Sequence, residues 1–190
     1  LWDFSDIKGD KGKRILDKNK IFYKNIFFPD AKLNFAENLI PLTSKEIAVF
    51  SLKENGTEDF ITWEELFSNV CKFSDYLIKT NIKKGDVVAA YVPNTIETIV
   101  AFLGSTKNGC IWSSCSPDFG PQGVIERFKQ IEPKVLITCD HYYYNGKKIN
   151  ILDNVEIITK SIPTIQKVIV FSYDNTKIDK KYLSYYDVLK

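Results

Sequence analysis

Apolar residues recur along this chain at two spacings, and the two spacings alternate from about residue 47 onward. Short apolar runs suit buried strands, and stretches in which apolar residues return every third or fourth position suit one face of a helix. The predicted strands are residues 47–53, 59–62, 86–92, 110–115, 134–139 and 167–171, and the predicted helices are residues 62–80, 95–108, 121–131 and part of 148–162. Strands that alternate with helices predict an α/β fold with a parallel sheet built from strand–helix–strand units.

Local signals mark where several of these elements begin and end. Thr62 and Glu65 have the spacing of a capping box, in which each side chain satisfies a free N–H group at the start of a helix. Asn94 is the expected cap of the next helix. Asn55 and Gly56 stand between two apolar runs and predict a β-hairpin turn, because both residue types tolerate positive φ.

Residues 1–42 lack this alternation and are expected to form a separate strap on the outside of a domain, with residues 43–190 as the main domain. The first twenty residues are charged and show little periodicity. Residues 21–40 are rich in aromatic side chains, and Asn34 has the position of a cap for a short helix.

The composition argues against two classes of partner. The 26 basic residues interleave with 24 acidic ones and leave a net charge of only +2, which disfavours nucleic acid or an anionic membrane surface as the main partner. No apolar run in the sequence approaches the roughly 20 residues that span a bilayer. We therefore expect small molecules as partners, rather than a membrane or nucleic acid.

The four cysteines, Cys71, Cys110, Cys115 and Cys139, lie inside apolar stretches and form no C-x-x-C pair. We interpret them as buried, reduced thiols of a cytoplasmic protein rather than as metal ligands or disulfides. The chain starts at Leu1 and contains no methionine, so we expect it to be a piece of a longer protein.

The predicted topology also indicates where a ligand binds. In an open parallel sheet, ligands bind beyond the carboxyl ends of the strands, and here these ends lead into residues 92–95, 115–120 and 139–148, which should share one rim. The second loop opens onto a helix N-terminus, which favours an anion. The third loop holds three tyrosines, whose rings could stack on a base, and two lysines, whose charges could bind phosphates. The alternative is a tyrosine-rich turn with Asn145-Gly146 at its tip and solvated lysines.

Motifs that would identify a catalytic centre are missing from the sequence. There is no G-x-x-x-x-G-K-[ST], G-x-G-x-x-G or G-x-S-x-G. His141, the single histidine, follows Asp140 but has no recognisable serine or cysteine partner, and we expect it to be a solvated loop residue. We assign no catalytic or metal-binding residue.

Three stretches of the sequence resemble a known family. They are FFPDAKLNFAENL, KKGDVVAAYVPNTIETIVAFLG, and GCIWSSCSPDFGPQGVIERFKQIEPKVLI followed by YNGKK. Together they are similar to the acetoacetyl-CoA synthetase family, a branch of the adenylate-forming acyl-CoA synthetase superfamily. The run SSCSPDFGPQGV is specific for this branch. The segment in which KGD is followed by a strand and then by Pro-Asn is shared with the wider superfamily.

The resemblance implies an acid–thiol ligase that works in two steps. ATP and acetoacetate give an acyl-adenylate and pyrophosphate with the help of Mg²⁺, and coenzyme A then displaces AMP. The phosphate loop, the magnesium-binding glutamate, the ribose-binding aspartate and the C-terminal lysine of the family have no match here. The resemblance therefore implies an N-terminal portion, inactive alone, that works with the remainder of its own polypeptide. Another short-chain acyl-CoA synthetase and a stand-alone binding module without catalysis are the alternatives.

Residues 1–42 resemble the N-terminal strap of acetyl-CoA synthetases. Residues 43–190 resemble the first part of the AMP-binding domain, ending before the phosphate loop. By position, two turns would contact the nucleotide end of coenzyme A. They are Ser116, Pro117 and Asp118, and Tyr144, Asn145, Gly146 and Lys147. Proline and aspartate replace the family's glycines in the first turn, and Tyr144 replaces an arginine. Lys147 alone keeps a positive charge there, without the bidentate fork of an arginine.

Overall fold

Two units make up the fold, Leu1–Pro41 and Leu42–Lys190. The computed structural model of the chain describes residues 1–40, 44–174 and 176–190. The predicted boundary between residues 42 and 43 therefore lies outside the described residues and stays a prediction.

The first unit is held by hydrogen bonds and ion pairs more than by a core. Strand β1 (Leu16–Asp17) pairs antiparallel with β2 (Ile26–Phe27), a 3₁₀ turn (Phe22–Lys24) lies between them, and helix α1 is Phe35–Leu39. Asn34 caps α1, as predicted, because its side chain accepts a hydrogen bond of 3.1 Å from the backbone of Glu37. Ala36 is the one buried hydrophobic residue described in this unit.

The second unit contains the elements that the apolar pattern predicted. Its strands are β3 (Ile47–Leu52), β4 (Glu58–Thr62), β5 (Val87–Tyr91), β6 (Ile111–Cys115), β7 (Val135–Cys139), β8 (His141–Tyr144), β9 (Lys147–Asn150), β10 (Lys167–Phe171) and β11 (Leu183–Ser184). Its helices are α2 (Trp63–Lys79), α3 (Ile96–Lys107), α4 (Pro121–Phe128), α5 (Leu152–Ser161) and α6 (Tyr185–Val188). Strands β8, β9 and β11 are additions that the apolar pattern did not predict.

Five parallel strands form the central sheet in the order β6-β5-β7-β10-β11. The predicted α/β class and parallel sheet are confirmed. From β5 the chain moves to β6 on one side and then crosses back to β7 on the other side. This reversal is a switch point, and it leaves a crevice between the carboxyl ends of β5 and β7, where ligands of such sheets bind.

The helices cover the sheet on both faces. The connections β5 to β6 and β6 to β7 run in opposite directions, so right-handed crossovers place α3 and α4 on opposite faces. Helix α2 packs against α3, and α5 packs against α4. Every residue of β7 is buried in consequence, as expected for the centre of a parallel sheet. No helix among the described residues combines the length and the apolar character that crossing a membrane requires.

Caps and turns agree with the sequence in most places. The capping box of Thr62 and Glu65 is present, and the Asn55-Gly56 turn joins β3 to β4. The expected cap of α3 is wrong by one residue: Thr95, not Asn94, accepts a hydrogen bond from the backbone of Thr98. Threonine and asparagine are both good caps, so residue type alone does not separate the two positions.

Gly104 lets α2 and α3 pack closely, and this close approach can be tested. A Cβ atom at Gly104 would lie 2.9 Å from both Cβ and Cδ1 of Phe73 and 3.1 Å from the carbonyl oxygen of Val70. We expect Gly104→Ala to lower the free energy of unfolding by about 1–3 kcal/mol, the usual cost of overpacking. Urea denaturation measures this change in the free energy of unfolding.

The matched control is Gly123→Ala in α4, where the nearest atom to a new Cβ is Cδ1 of Phe119 at 4.0 Å. With room available, alanine should raise the free energy of unfolding by up to about 1 kcal/mol, through its higher helix propensity. If both substitutions stabilise the chain, the close packing of α2 on α3 is refuted.

Candidate functional site

A cleft of about 260 Å³ opens at the carboxyl ends of the parallel strands. It is lined by residues that follow β5, β6, β7 and β10 and by the end of β3. These residues are Leu52, Lys53, Glu54, Pro93, Asn94, Ser116, Pro117, Asp118, Tyr142, Tyr143, Tyr144 and Tyr173. The prediction that the loops after the first three of these strands share one rim is confirmed.

The side chain of Tyr91, the last residue of β5, stabilises the turn after β6. The Tyr91 hydroxyl donates to the carbonyl oxygens of Pro117 at 2.9 Å and Phe119 at 2.7 Å, and it accepts from Nδ2 of Asn154 at 3.4 Å. Burial raises the pKa of Tyr91, which keeps the hydroxyl protonated and able to donate. The backbone of this turn is therefore fixed by a side chain of the neighbouring strand.

Ser116 and Asp118 stabilise the same turn by forming hydrogen bonds with each other. The Ser116 hydroxyl donates to Oδ2 of Asp118 at 2.8 Å and accepts from the backbone N–H of Asp118 at 3.3 Å. Burial, together with a hydrogen bond to Asp118, raises the pKa of Tyr142 to about 12. Tyr142 therefore links the segment after β7 to the turn after β6.

The segment after β7 is a β-hairpin rather than the predicted loop. Strand β8 pairs antiparallel with β9, so Tyr144 lies opposite Lys147, and Asn145 and Gly146 form the tip with φ of 50° and 69°. Positive φ at two successive residues is what a tight two-residue hairpin turn requires. The N–H of Gly146 donates to Oε1 of Glu54 at 3.3 Å, which holds the tip beside the β3–β4 turn.

The seven predicted site residues fall into two groups. Ser116, Pro117, Asp118 and Tyr144 line the cleft. Asn145, Gly146 and Lys147 form the hairpin tip and the start of β9, where they are exposed and are not among the lining residues. The structure thus brings the two predicted turns together, but only the first residue of the second turn faces the cleft.

Lys53 is a cation of the cleft that sequence reasoning missed. Its Nζ donates to the carbonyl oxygen of Tyr173 at 2.9 Å and lies 5.0 Å from the centre of the Tyr173 ring. The residue is only 7% exposed, and among the described residues no ion pair involves it. An ammonium group has three donors, so donors remain for a ligand.

The expectation of a solvated histidine is wrong. His141 is 3% exposed, and its Nδ1 and Nε2 lie 2.8 Å from Oδ1 of Asp140 and 2.9 Å from Oδ2 of Asp174. Asp174 follows β10, which is the sheet neighbour of β7. The carboxylate that buries this histidine is therefore close in space but more than thirty residues away in sequence.

The cysteines agree with the sequence interpretation except at Cys71, which is only partly buried. All four are free, and Cys110, Cys115 and Cys139 are buried. Burial holds the pKa of Cys139 well above its ordinary value, so this thiol stays protonated and inert. Within the described residues, no group of three or more His, Cys, Asp or Glu side chains is arranged to hold a metal ion.

The family follows from comparison with known proteins. Residues 42–185 match the model of the AMP-binding enzymes, and the chain belongs to this family. Within it, the relatives include an acetoacetyl-coenzyme A synthetase of Rhizobium meliloti (strain 1021), 38% identical over 178 residues, and an acetoacetyl-CoA synthetase of Xenopus tropicalis, 39% identical over 177 residues. The solved acetoacetyl-CoA synthetase from Streptomyces lividans is similar in structure, with a TM-score of 0.91 at 30% identity.

These matches cover most of this chain but only part of each relative. They include 94% and 90% of this chain, but 27% and 26% of the two curated relatives, and 99% of this chain against 30% of the solved structure. The chain thus spans about a quarter of the length of the curated relatives that it matches. The resemblance noted in the sequence is confirmed.

Tyr91→Phe tests whether the hydroxyl of Tyr91 holds the turn after β6. The substitution keeps the buried ring and removes the donor to Pro117 and Phe119, so we expect the free energy of unfolding to fall by about 1–3 kcal/mol. Urea denaturation measures the change. Tyr23→Phe is the control, because Tyr23 is 80% exposed, and equal effects of the two changes would contradict a specific role for Tyr91.

Proposed function

We propose that this chain is the N-terminal portion of an ATP-dependent acetoacetate–CoA ligase, and that it is inactive alone. The reaction joins acetoacetate and coenzyme A at the expense of ATP and yields acetoacetyl-CoA, AMP and pyrophosphate. The proposal is supported by the match to AMP-binding enzymes and by relatives that carry the name acetoacetyl-CoA synthetase. The residues that bind ATP, Mg²⁺ and acetoacetate are then supplied by the remainder of the polypeptide.

The contribution of this chain is part of the coenzyme A surface. The observation that carries this proposal is that one cleft, at the switch point of the sheet, is lined both by the Ser116–Asp118 turn and by Tyr144. Its volume of about 260 Å³ is below the range of a pocket for a whole drug-sized ligand, so it suits one portion of coenzyme A.

The lining groups fit the chemistry of a nucleotide. Tyrosine rings offer faces on which a purine can stack, and Lys53 offers a buried ammonium without a partner carboxylate among the described residues. Asn94 and Ser116 add polar groups to the lining of the cleft. These residues bind and orient the nucleotide end, so that the thiol end of coenzyme A can reach an acyl-adenylate formed elsewhere.

We also propose a cytoplasmic location. Four free cysteines, three of them buried, support it, because thiols persist in a reducing compartment.

The full-length protein that contains this chain provides the first test. We expect AMP formation that depends on both acetoacetate and coenzyme A, with acetate and propionate as poorer substrates. Chromatographic measurement of AMP with each acid compares the three. Turnover of acetate or propionate without turnover of acetoacetate would assign the protein to another short-chain acyl-CoA synthetase, and no turnover of any acid would favour a binding module.

Lys147→Ala tests the predicted contact at the hairpin tip. Because Lys147 is exposed and acts as a point charge, we expect the KM for coenzyme A in the full-length protein to rise by about two- to fivefold. Adenylation of acetoacetate, followed by pyrophosphate exchange into ATP, should not change. Lys160→Ala is the control, since this lysine is also exposed, lies in the last turn of α5 and is not among the residues that line the cleft. Unchanged coenzyme A kinetics would remove Lys147 from the site.

A further inference from the structure

Lys53 is the one buried lysine among the described residues, and it lies in the lining of the cleft. It is only 7% exposed, and it lines the cleft together with Tyr173. Lysine is almost never fully buried in a protein unless its charge is paired. Within the described residues, however, no carboxylate forms an ion pair with Lys53. The part of the chain that the structure describes therefore provides no counter-ion for this charge.

The ammonium group of Lys53 is held in a fixed position. Nζ donates to the carbonyl oxygen of Tyr173 at 2.9 Å, and the N–H of Tyr173 in turn donates to Oδ1 of Asp140 at 3.0 Å. The backbone of Lys53 is fixed as well, because its N–H donates to the carbonyl oxygen of Thr57 and its own carbonyl oxygen accepts from Gly56, both at 2.9 Å. The cation is thus preorganised, which lowers the entropic cost of binding a ligand.

These contacts leave the charge of Lys53 without a full negative charge beside it. The carbonyl oxygen of Tyr173 takes one of the three donors of the ammonium group, and two donors remain. A buried cation without an anion is costly, because it has lost the water around it and has gained only partial charges in return. A phosphate in the cleft would supply both the negative charge and strong acceptor oxygens for the two donors.

The two acidic residues of the cleft lining have hydrogen-bond donors of their own. Oε1 of Glu54 accepts from the N–H of Gly146 at 3.3 Å, and Oδ2 of Asp118 accepts from the hydroxyl of Ser116 at 2.8 Å. Lys53 is the one cation among the residues that line the cleft. Because the two carboxylates repel an anion, the position beside Lys53 is where this lining favours a phosphate.

We propose that Lys53 binds a phosphate group of coenzyme A, which becomes the counter-ion of the buried ammonium group. Lys53 thereby distinguishes coenzyme A from thiol acceptors that lack this phosphate. The proposal rests on the proposed function for the identity of the ligand, and it names the group that recognises the phosphate. The 3′-phosphate and the diphosphate of coenzyme A have the same chemistry, and truncated acceptors separate them.

Adenosine 3′,5′-bisphosphate, the nucleotide end of coenzyme A, tests the site without any turnover. Lys53→Met removes the charge and keeps an unbranched apolar side chain, so the fold should tolerate it. We expect the full-length protein to bind the bisphosphate about ten- to hundredfold more weakly after this change, as for the loss of a hydrogen bond to a charged group. Lys53→Arg should lose less affinity, because the charge remains. Titration calorimetry measures each Kd, and unchanged binding by Lys53→Met would overturn the proposal.

Three thiol acceptors then show which phosphate Lys53 binds. Coenzyme A, dephospho-coenzyme A without the 3′-phosphate, and pantetheine without any phosphate are compared by kcat/KM in the natural full-length protein and in Lys53→Met. We expect the preference for coenzyme A over pantetheine to fall about ten- to hundredfold. An equal fall in the preference over dephospho-coenzyme A assigns the 3′-phosphate, and no fall there assigns the diphosphate. Equal losses with all three acceptors would refute phosphate recognition, since a merely structural role affects them all.

Lys160→Met is the matched control, because it makes the same change at a side chain that is 79% exposed and outside the cleft lining. It should leave the preference among the three acceptors unchanged. If the natural protein activates acetoacetate but Lys53→Met keeps its acceptor preference, the role of Lys53 is wrong while the proposed function stands. If the natural protein does not activate acetoacetate, the proposed function fails, and calorimetry with the bisphosphate still decides whether Lys53 binds a phosphate.

Discussion

The reversal of the chain around β5 is the constraint on which the rest of the structure depends. Because β6 and β7 lie on opposite sides of β5, the loops after three strands meet at one end of the sheet. Right-handed crossovers then oblige the helices to cover opposite faces, which buries every residue of β7. The cleft is a consequence of this order, since no helix can cover the place where the connections diverge.

Side chains from distant parts of the sequence turn this crevice into a shaped surface. Tyr91 reaches from β5 to the turn after β6, and Lys53 reaches from the β3–β4 hairpin to the carbonyl oxygen of Tyr173. Each of these contacts pairs a buried polar group with a backbone carbonyl, which removes the cost of burying it alone. The bases of these loops are therefore part of the folded core.

Apolar periodicity was sufficient to predict the sheet strands β5, β6, β7 and β10 and the helices between them, because the buried positions of these elements recur at the spacing of a strand or a helix. It could not predict β11, which is two residues long and too short to show a period. The hairpin of β8 and β9 was missed because its tyrosines and lysines alternate little in polarity. Lys53 and His141 contact Tyr173 and Asp174, which follow β10 and are distant in sequence. A local sequence pattern cannot predict such contacts.

The charges of the cleft decide which interactions its proposed ligand can use. The cation of Lys53 is opposed by the carboxylates of Glu54 and Asp118, so the lining has no excess of positive charge. Tyr144 also stands where the resemblance leads one to expect an arginine, which removes a bidentate phosphate contact. Binding must then depend on aromatic faces more than on phosphate contacts. Stacking contributes only about 0.5–1.5 kcal/mol for each pair and requires a defined ring orientation. Tyr143 and Tyr173 are held by the partly buried carboxylates of Asp174 and Asp140, and this meets the requirement better than rings on a free loop would.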